Sequence, residues 1–176
     1  MDRLIKCLAG ALLIAWAALG SGCSSVHYGK YNVNVAMDPS MRDAGSQQLP
    51  SVTVDVLAVN ENDTGLWQGK SATKWFSGLD KERQDSSGWT YSMNFNNQNP
   101  GPLMLKKNDP IWDKPEWKSA TWLAVMANIP GADDQKKVLL LPRRTDMWAS
   151  GTQQIDIVIQ SSGLKLNTQR VTPKAD

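Results

Sequence analysis

The chain has 176 residues, with 19 Lys and Arg against 17 Asp and Glu and a formal net charge of +2 at pH 7. So even a balance excludes the strongly basic stripe that a nucleic-acid partner calls for. Two cysteines, Cys7 and Cys23, and the single histidine His27 supply neither a zinc ligand set nor an imidazole placed for a triad or general base.

Met1 to Lys6 carries Arg3 and Lys6 and is followed by an uncharged apolar run from Cys7 to Leu19, the layout of a secretory signal. That run is about 13 residues long, short of the roughly 20 that cross a hydrocarbon core as a helix, which favours a removable segment over a permanent span. It ends in Leu19-Gly20-Ser21-Gly22-Cys23-Ser24-Ser25. This resembles the lipobox of bacterial lipoproteins, small residues before a cysteine that is acylated and becomes the new N-terminus. Leu19 stands four residues before Cys23, where the pattern has its Leu three before. The alternative is ordinary cleavage nearby, which leaves a free thiol.

On the lipidated reading, residues 1–22 are a signal peptide, Cys23 attaches the protein to membrane lipid, and residues 23–30 form a tether that includes His27. By resemblance to lipoprotein sorting rules, Ser24 and Ser25, with no Asp beside the cysteine, point to the periplasmic face of the outer membrane. Removing 22 of the 176 residues leaves 154; the 19 basic residues lose Arg3 and Lys6, and the 17 acidic ones lose Asp2. Cys7 leaves with the signal, so the mature chain has no disulfide even where oxidation permits one. Its fold must stand on core packing.

Asn32 to Met37 alternates, with Val33, Val35 and Met37 on one face, and Ser51 to Val56 does the same with its valines, predicting two half-buried strands. Between them runs a polar connection, Asp38 to Pro50, too long for a tight hairpin and of a length that often carries function. Thr64 to Phe76 predicts a helix with Asp63 or Thr64 as N-cap and Gly78 beyond its end. Further strands are expected at Thr90 to Phe95, Pro102 to Lys106, Ala120 to Ile129, Val138 to Leu141, Gln154 to Gln160 and Leu164 to Arg170. The wholly apolar Leu123 to Ala127 should be central and buried on both faces. Short strands separated by Gly, Pro, Asn and Asp clusters indicate one antiparallel β-sandwich or barrel, spanning residues 31–172.

Gly65-Leu66-Trp67-Gln68-Gly69-Lys70-Ser71 has three residues between its glycines where a phosphate-cradling loop has four. Asp109 with Glu116, and Asp133 with Asp134, sit among turn residues and read as solvated surface rather than as a glycosidase pair or calcium site. No cofactor or metal is implied, and an enzyme is not expected. The compositional oddity is tryptophan: eight in the chain, of which only Trp16 lies in the signal. Trp112 and Trp117, with Trp122 close by, suggest an exposed aromatic platform for a glycan such as peptidoglycan. The favoured reading has indoles filling a disulfide-free core, with Trp122 the surest core member.

The order of lipidated cysteine, tether, strand, polar loop, strand, helix and a series of strands resembles the outer-membrane lipoprotein of type VI secretion systems. The residues carrying the likeness are Val33-Asn34-Val35-Ala36, Pro50 to Leu57, Thr73-Lys74-Trp75-Phe76 and Ile155 to Ile159. The resemblance implies a mainly β, transthyretin-like or immunoglobulin-like antiparallel sandwich with one added helix. It also implies a non-enzymatic role, docking the periplasmic domain of an inner-membrane secretion protein. In that family the loop between the first two strands is implicated in partner contact, which makes Pro39, Met41 and Arg42 the contact candidates here.

Overall fold

The computed structural model describes residues 26–173. Eight strands form: β1 (Asn32–Met37), β2 (Val52–Val59), β3 (Tyr91–Phe95), β4 (Leu103–Leu105), β5 (Trp122–Ala127), β6 (Val138–Pro142), β7 (Gln154–Gln160) and β8 (Gly163–Leu166). They make two four-stranded sheets, in the orders β4-β1-β7-β8 and β3-β2-β5-β6. All pairs are antiparallel except β1 with β7, where Val33 lies opposite Ile155 and Val35 opposite Ile157 in parallel register. A parallel pair needs a long crossover. Here the crossover carries the entire second sheet.

The main core lies between the sheets. Val33 and Val35 of β1 and Ile155, Ile157 and Ile159 of β7 join Val52, Val54 and Val56 of β2 and Leu123, Val125 and Ala127 of β5 in one buried cluster. This is the period-two alternation read from the sequence. The alternate face of β5 is buried too, because helices cover the outside of its sheet: Ala124 and Met126 pack with Leu57, Val59, Trp67, Ala72 and Trp75.

The covering layer differs from the single helix expected over Thr64 to Phe76. It is broken into α1 (Thr64–Gln68), α2 (Ala72–Trp75) and α3 (Lys81–Asp85); α4 (Pro115–Ser119) lies elsewhere. The break has local causes. Gly69 caps the end of α1, and Ser71 starts α2 afresh by accepting from the Lys74 N–H at 3.1 Å. Asp80 does the same for α3, accepting from the Arg83 N–H at 3.0 Å.

Tryptophan placement reverses one expectation. Trp122 is only partly buried, its Nε1 donating to Glu61 at 2.6 Å, whereas Trp75, Trp112 and Trp117 are fully buried. Three buried indoles also fasten connections. Trp112 Nε1 donates to the Lys106 carbonyl at 2.9 Å, Trp117 Nε1 to the Trp89 carbonyl at 2.7 Å and Trp148 Nε1 to the Pro142 carbonyl at 2.9 Å. Indoles thus combine a large apolar burial with one directed hydrogen bond. Among the described residues, which include no cysteine, that combination ties long loops to the core.

The latter half of the segment read as a tether, residues 23–30, is bonded to the sandwich. The Thr145 N–H donates to the His27 carbonyl at 3.0 Å, the Gly29 N–H donates to the Arg143 carbonyl at 2.7 Å, and Tyr28 bridges Arg144. Residues 27–30 therefore belong to the folded domain.

Candidate functional site

The strand directions sort the loops into two ends. β1 enters from the N-terminal segment, and the connections 60–90, 106–121 and 143–153 start and finish at that same end, the first of them running over the outer face of its sheet so far that the Thr73 N–H donates to Asp134 at 2.8 Å. The Asp38 to Pro50 loop lies at the other, with the 96–102, 128–137 and 161–162 turns. The eight residues of β2 separate the ends by roughly 26 Å.

The loop at the far end is built rather than slack. Asp38 accepts from the Ser40 N–H at 2.9 Å and starts a 3-10 turn over Pro39–Met41. Asp43 then gathers the tip: its Oδ1 accepts from the Gly45 N–H at 3.0 Å, the Ser46 N–H at 2.8 Å and the Ser46 hydroxyl at 3.0 Å. These bonds hold the Asp43 carboxyl below the usual carboxylate range, the Ser46 backbone N–H contributing most. Arg42 closes the loop by donating to the Gln47 carbonyl at 2.9 Å. Leu49 is buried, and its N–H donates to Asn97 at 2.7 Å, joining the loop to the neighbouring turn. In that turn Gly101 has φ +87, and a Cβ there would meet the Phe95 ring at 2.7 Å.

Of the three contact candidates, Pro39 and Arg42 are exposed, and Met41 is half-buried against the main core. The structure thus brings them together on one ordered loop. Arg42 to Gln48 forms an unbroken exposed run. The structure decides against the aromatic-platform reading and for the core reading of these indoles: Trp112 and Trp117 are 0% exposed and packed edge to face, their centroids 4.9 Å apart. They offer no face to a glycan. Cys23, Ser24 and Ser25 lie outside the described residues.

A second feature was not legible as a site. On the helix-covered face of β2, Asp55 is completely buried. Trp75 Nε1 and Arg83 Nε each donate to its Oδ2 at 2.9 Å, and the Ser92 hydroxyl donates to Oδ1 at 2.6 Å. It lies at the base of a cleft of about 400 Å³ lined also by Asp80, Arg83, Gln84 and Thr90. Lys70 reinforces the same layer, stacked over Trp67 and Trp75 and paired with Glu82 and, at 3.8 Å, Asp80. With every Asp55 oxygen engaged, this arrangement clamps the helical layer onto the sheet. The sequence signal was the apolar pair Leu57 and Val59 on the same face of β2, which marks that face as covered.

No protein-family model and no curated protein matches the chain. Among solved structures, it is similar to a chain of the type VI membrane complex, at 16% identity over 80% of this chain and 98% of that one, with a TM-score of 0.53. A structure of the C-terminal domain of the type VI secretion protein TssM from EAEC matches at 16% identity over 77% of this chain and 98% of that one, with a TM-score of 0.50. The chain has the fold of these type VI secretion proteins. The type VI lipoprotein TssJ1 from Pseudomonas aeruginosa is also similar, at 11% identity over 83% of this chain and all of that one, with a TM-score of 0.49. The mainly β sandwich expected from the strand pattern is therefore the fold present, with the added helix replaced by three short ones over β2 and β5.

Proposed function

We propose that the protein is a lipid-anchored docking component of a type VI secretion envelope complex. Cys23 carries the lipid, Ser24 and Ser25 direct it to the periplasmic face of the outer membrane, and the Asp38 to Pro50 loop binds the periplasmic domain of an inner-membrane secretion protein. The observation that carries this reading is the two-ended layout. The anchored N-terminus enters one end of the sandwich, and an ordered loop, exposed from Arg42 to Gln48, stands at the other. The likeness of fold to type VI membrane-complex proteins supports the same reading.

Pro39 and Arg42 contact the partner directly, and Met41 supports the turn from beneath. Because Asp38 and Asp43 pre-shape the loop, little ordering entropy is lost on docking. The test is calorimetry of residues 24–176 with the periplasmic domain of the TssM-type protein from the same organism. Binding should be measurable and should be lost when residues 39–48 are replaced by a short Gly-Ser turn. Undiminished affinity for the loop-replaced protein would place the interface elsewhere.

A further inference from the structure

Lipid attachment at Cys23, on which this inference rests, leaves only Ser24, Ser25 and Val26 between the acylated residue and His27. The His27 carbonyl is already fixed to the domain through the Thr145 N–H at 3.0 Å. Four Cα steps hold His27 within about 14 Å of Cys23, whereas a free tether through Lys30 would reach roughly 25 Å. One headgroup layer is itself roughly 5–8 Å thick. The fixed end of the domain is therefore confined to the membrane surface.

That end carries an unusual surface. Val26 is 45% and Tyr28 47% exposed, two of the four large hydrophobic residues standing out among the described residues. The backbone around Tyr28 is held in place. Gly29 N–H donates to the Arg143 carbonyl, Arg143 Nε returns a bond to the Gly29 carbonyl at 3.2 Å, and Tyr28 bridges Arg144. Arg143 is itself buried, donating to the Trp117 and Ala120 carbonyls and lying over the Trp112 ring. The neighbouring cations are locally neutralised: Arg144 by Asp146 at 2.6 Å and Lys30 by Asp113 at 2.8 Å.

We propose that this end is a second membrane contact, on which the domain stands end-on, with Tyr28 and Val26 seated among the lipid headgroups. Tyrosine suits that layer because its ring is apolar and its hydroxyl meets water. The paired cations make the contact aromatic and apolar in character, so it does not require anionic lipid. The orientation points the Asp38 to Pro50 loop away from the bilayer.

The test uses the full chain produced in bacteria, its acylation established by mass, reconstituted into phosphatidylcholine vesicles. A polarity-sensitive dye is attached at Tyr28→Cys or, as the far-end control, at Ser46→Cys. The dye at residue 28 should shift to the blue and be quenched by nitroxide-labelled lipid, and the dye at residue 46 should do neither. A water-like signal at residue 28 in the acylated protein overturns the membrane contact while leaving the lipoprotein reading intact. A shift at both positions, or at residue 46 alone, overturns the end-on orientation. An unmodified Cys23 overturns both this inference and the anchoring it rests on.

Discussion

A carboxylate taken out of water costs several kcal/mol unless donors surround it. Asp55 is fully buried because three donors from three different segments converge on it: Trp75, Arg83 and Ser92. Asp55→Ala leaves the Arg83 guanidinium and the Trp75 N–H facing an apolar gap and should lower the unfolding free energy by about 3–5 kcal/mol in urea denaturation. A loss under about 1 kcal/mol would mean that the helical layer is held by apolar contact alone. Trp117→Ala should cost about 3–5 kcal/mol in the same assay, from the cavity it opens and the Trp89 carbonyl it releases. Because Trp112 and Trp117 are sealed in the core, peptidoglycan fragments should leave their indole fluorescence unchanged, and a shift in emission would revive a glycan surface.

On the proposed function, docking depends on the loop between β1 and β2, whose order is tied to ionised carboxylates. Hydrogen bonds from Ser46 and Gly45 hold the Asp43 carboxyl low, and bonds from Ser40 and Gln160 do the same for Asp38. A depressed native pKa means that the stabilisation is fully present above the unfolded value of about 3.9 and is lost as pH falls through the native values. The Gly45 and Ser46 amide resonances should accordingly hold steady from neutral pH down to about 4 and move only below it. A titration centred at or above the ordinary carboxylate range would show that Asp43 does not organise the tip. At the same end, Gly163 has φ +137, and a Cβ there would collide with the Lys136 carbonyl oxygen. Gly163→Ala should therefore destabilise the β7–β8 hairpin by more than the roughly 1 kcal/mol of an ordinary glycine replacement, read as a lowered urea midpoint.

Much of this was legible at the scale of elements. Asn32 to Met37 and Gln154 to Gln160 were read at their observed bounds because one face of each is apolar and the other polar, the pattern of a strand with a single buried side. β2 was read short at Val56 because Leu57 to Val59 no longer alternates. Those residues are buried on both faces by a helical layer whose position the local pattern does not contain. The same layer hid Asp55, a polar residue on what looked like a solvent face, and misplaced Trp122, whose indole lies at the partly open margin of the sheet. The break between α1 and α2 was foreshadowed by Gly69 and Ser71. The parallel pairing of β1 with β7 was not legible, since it joins segments separated by almost the whole domain.

At the scale of the whole molecule, the proposed anchoring and docking make the fold a spacer with two differentiated ends. The His27 to Lys30 segment is bonded to the 143–145 stretch at one end, and roughly 26 Å away stands a loop ordered by ionised carboxylates. A domain held close to one membrane with its recognition loop directed away from it is suited to meeting a partner that reaches across the periplasm. Site-specific photocrosslinking in intact cells tests that claim most directly, with the photoreactive side chain placed at Arg42 or at Thr145. The Arg42 position should capture the TssM-type protein, identified by mass, and the Thr145 position should not. Capture of that protein from Thr145 alone, or from neither position in cells with an assembled secretion complex, would contradict a docking loop at the far end.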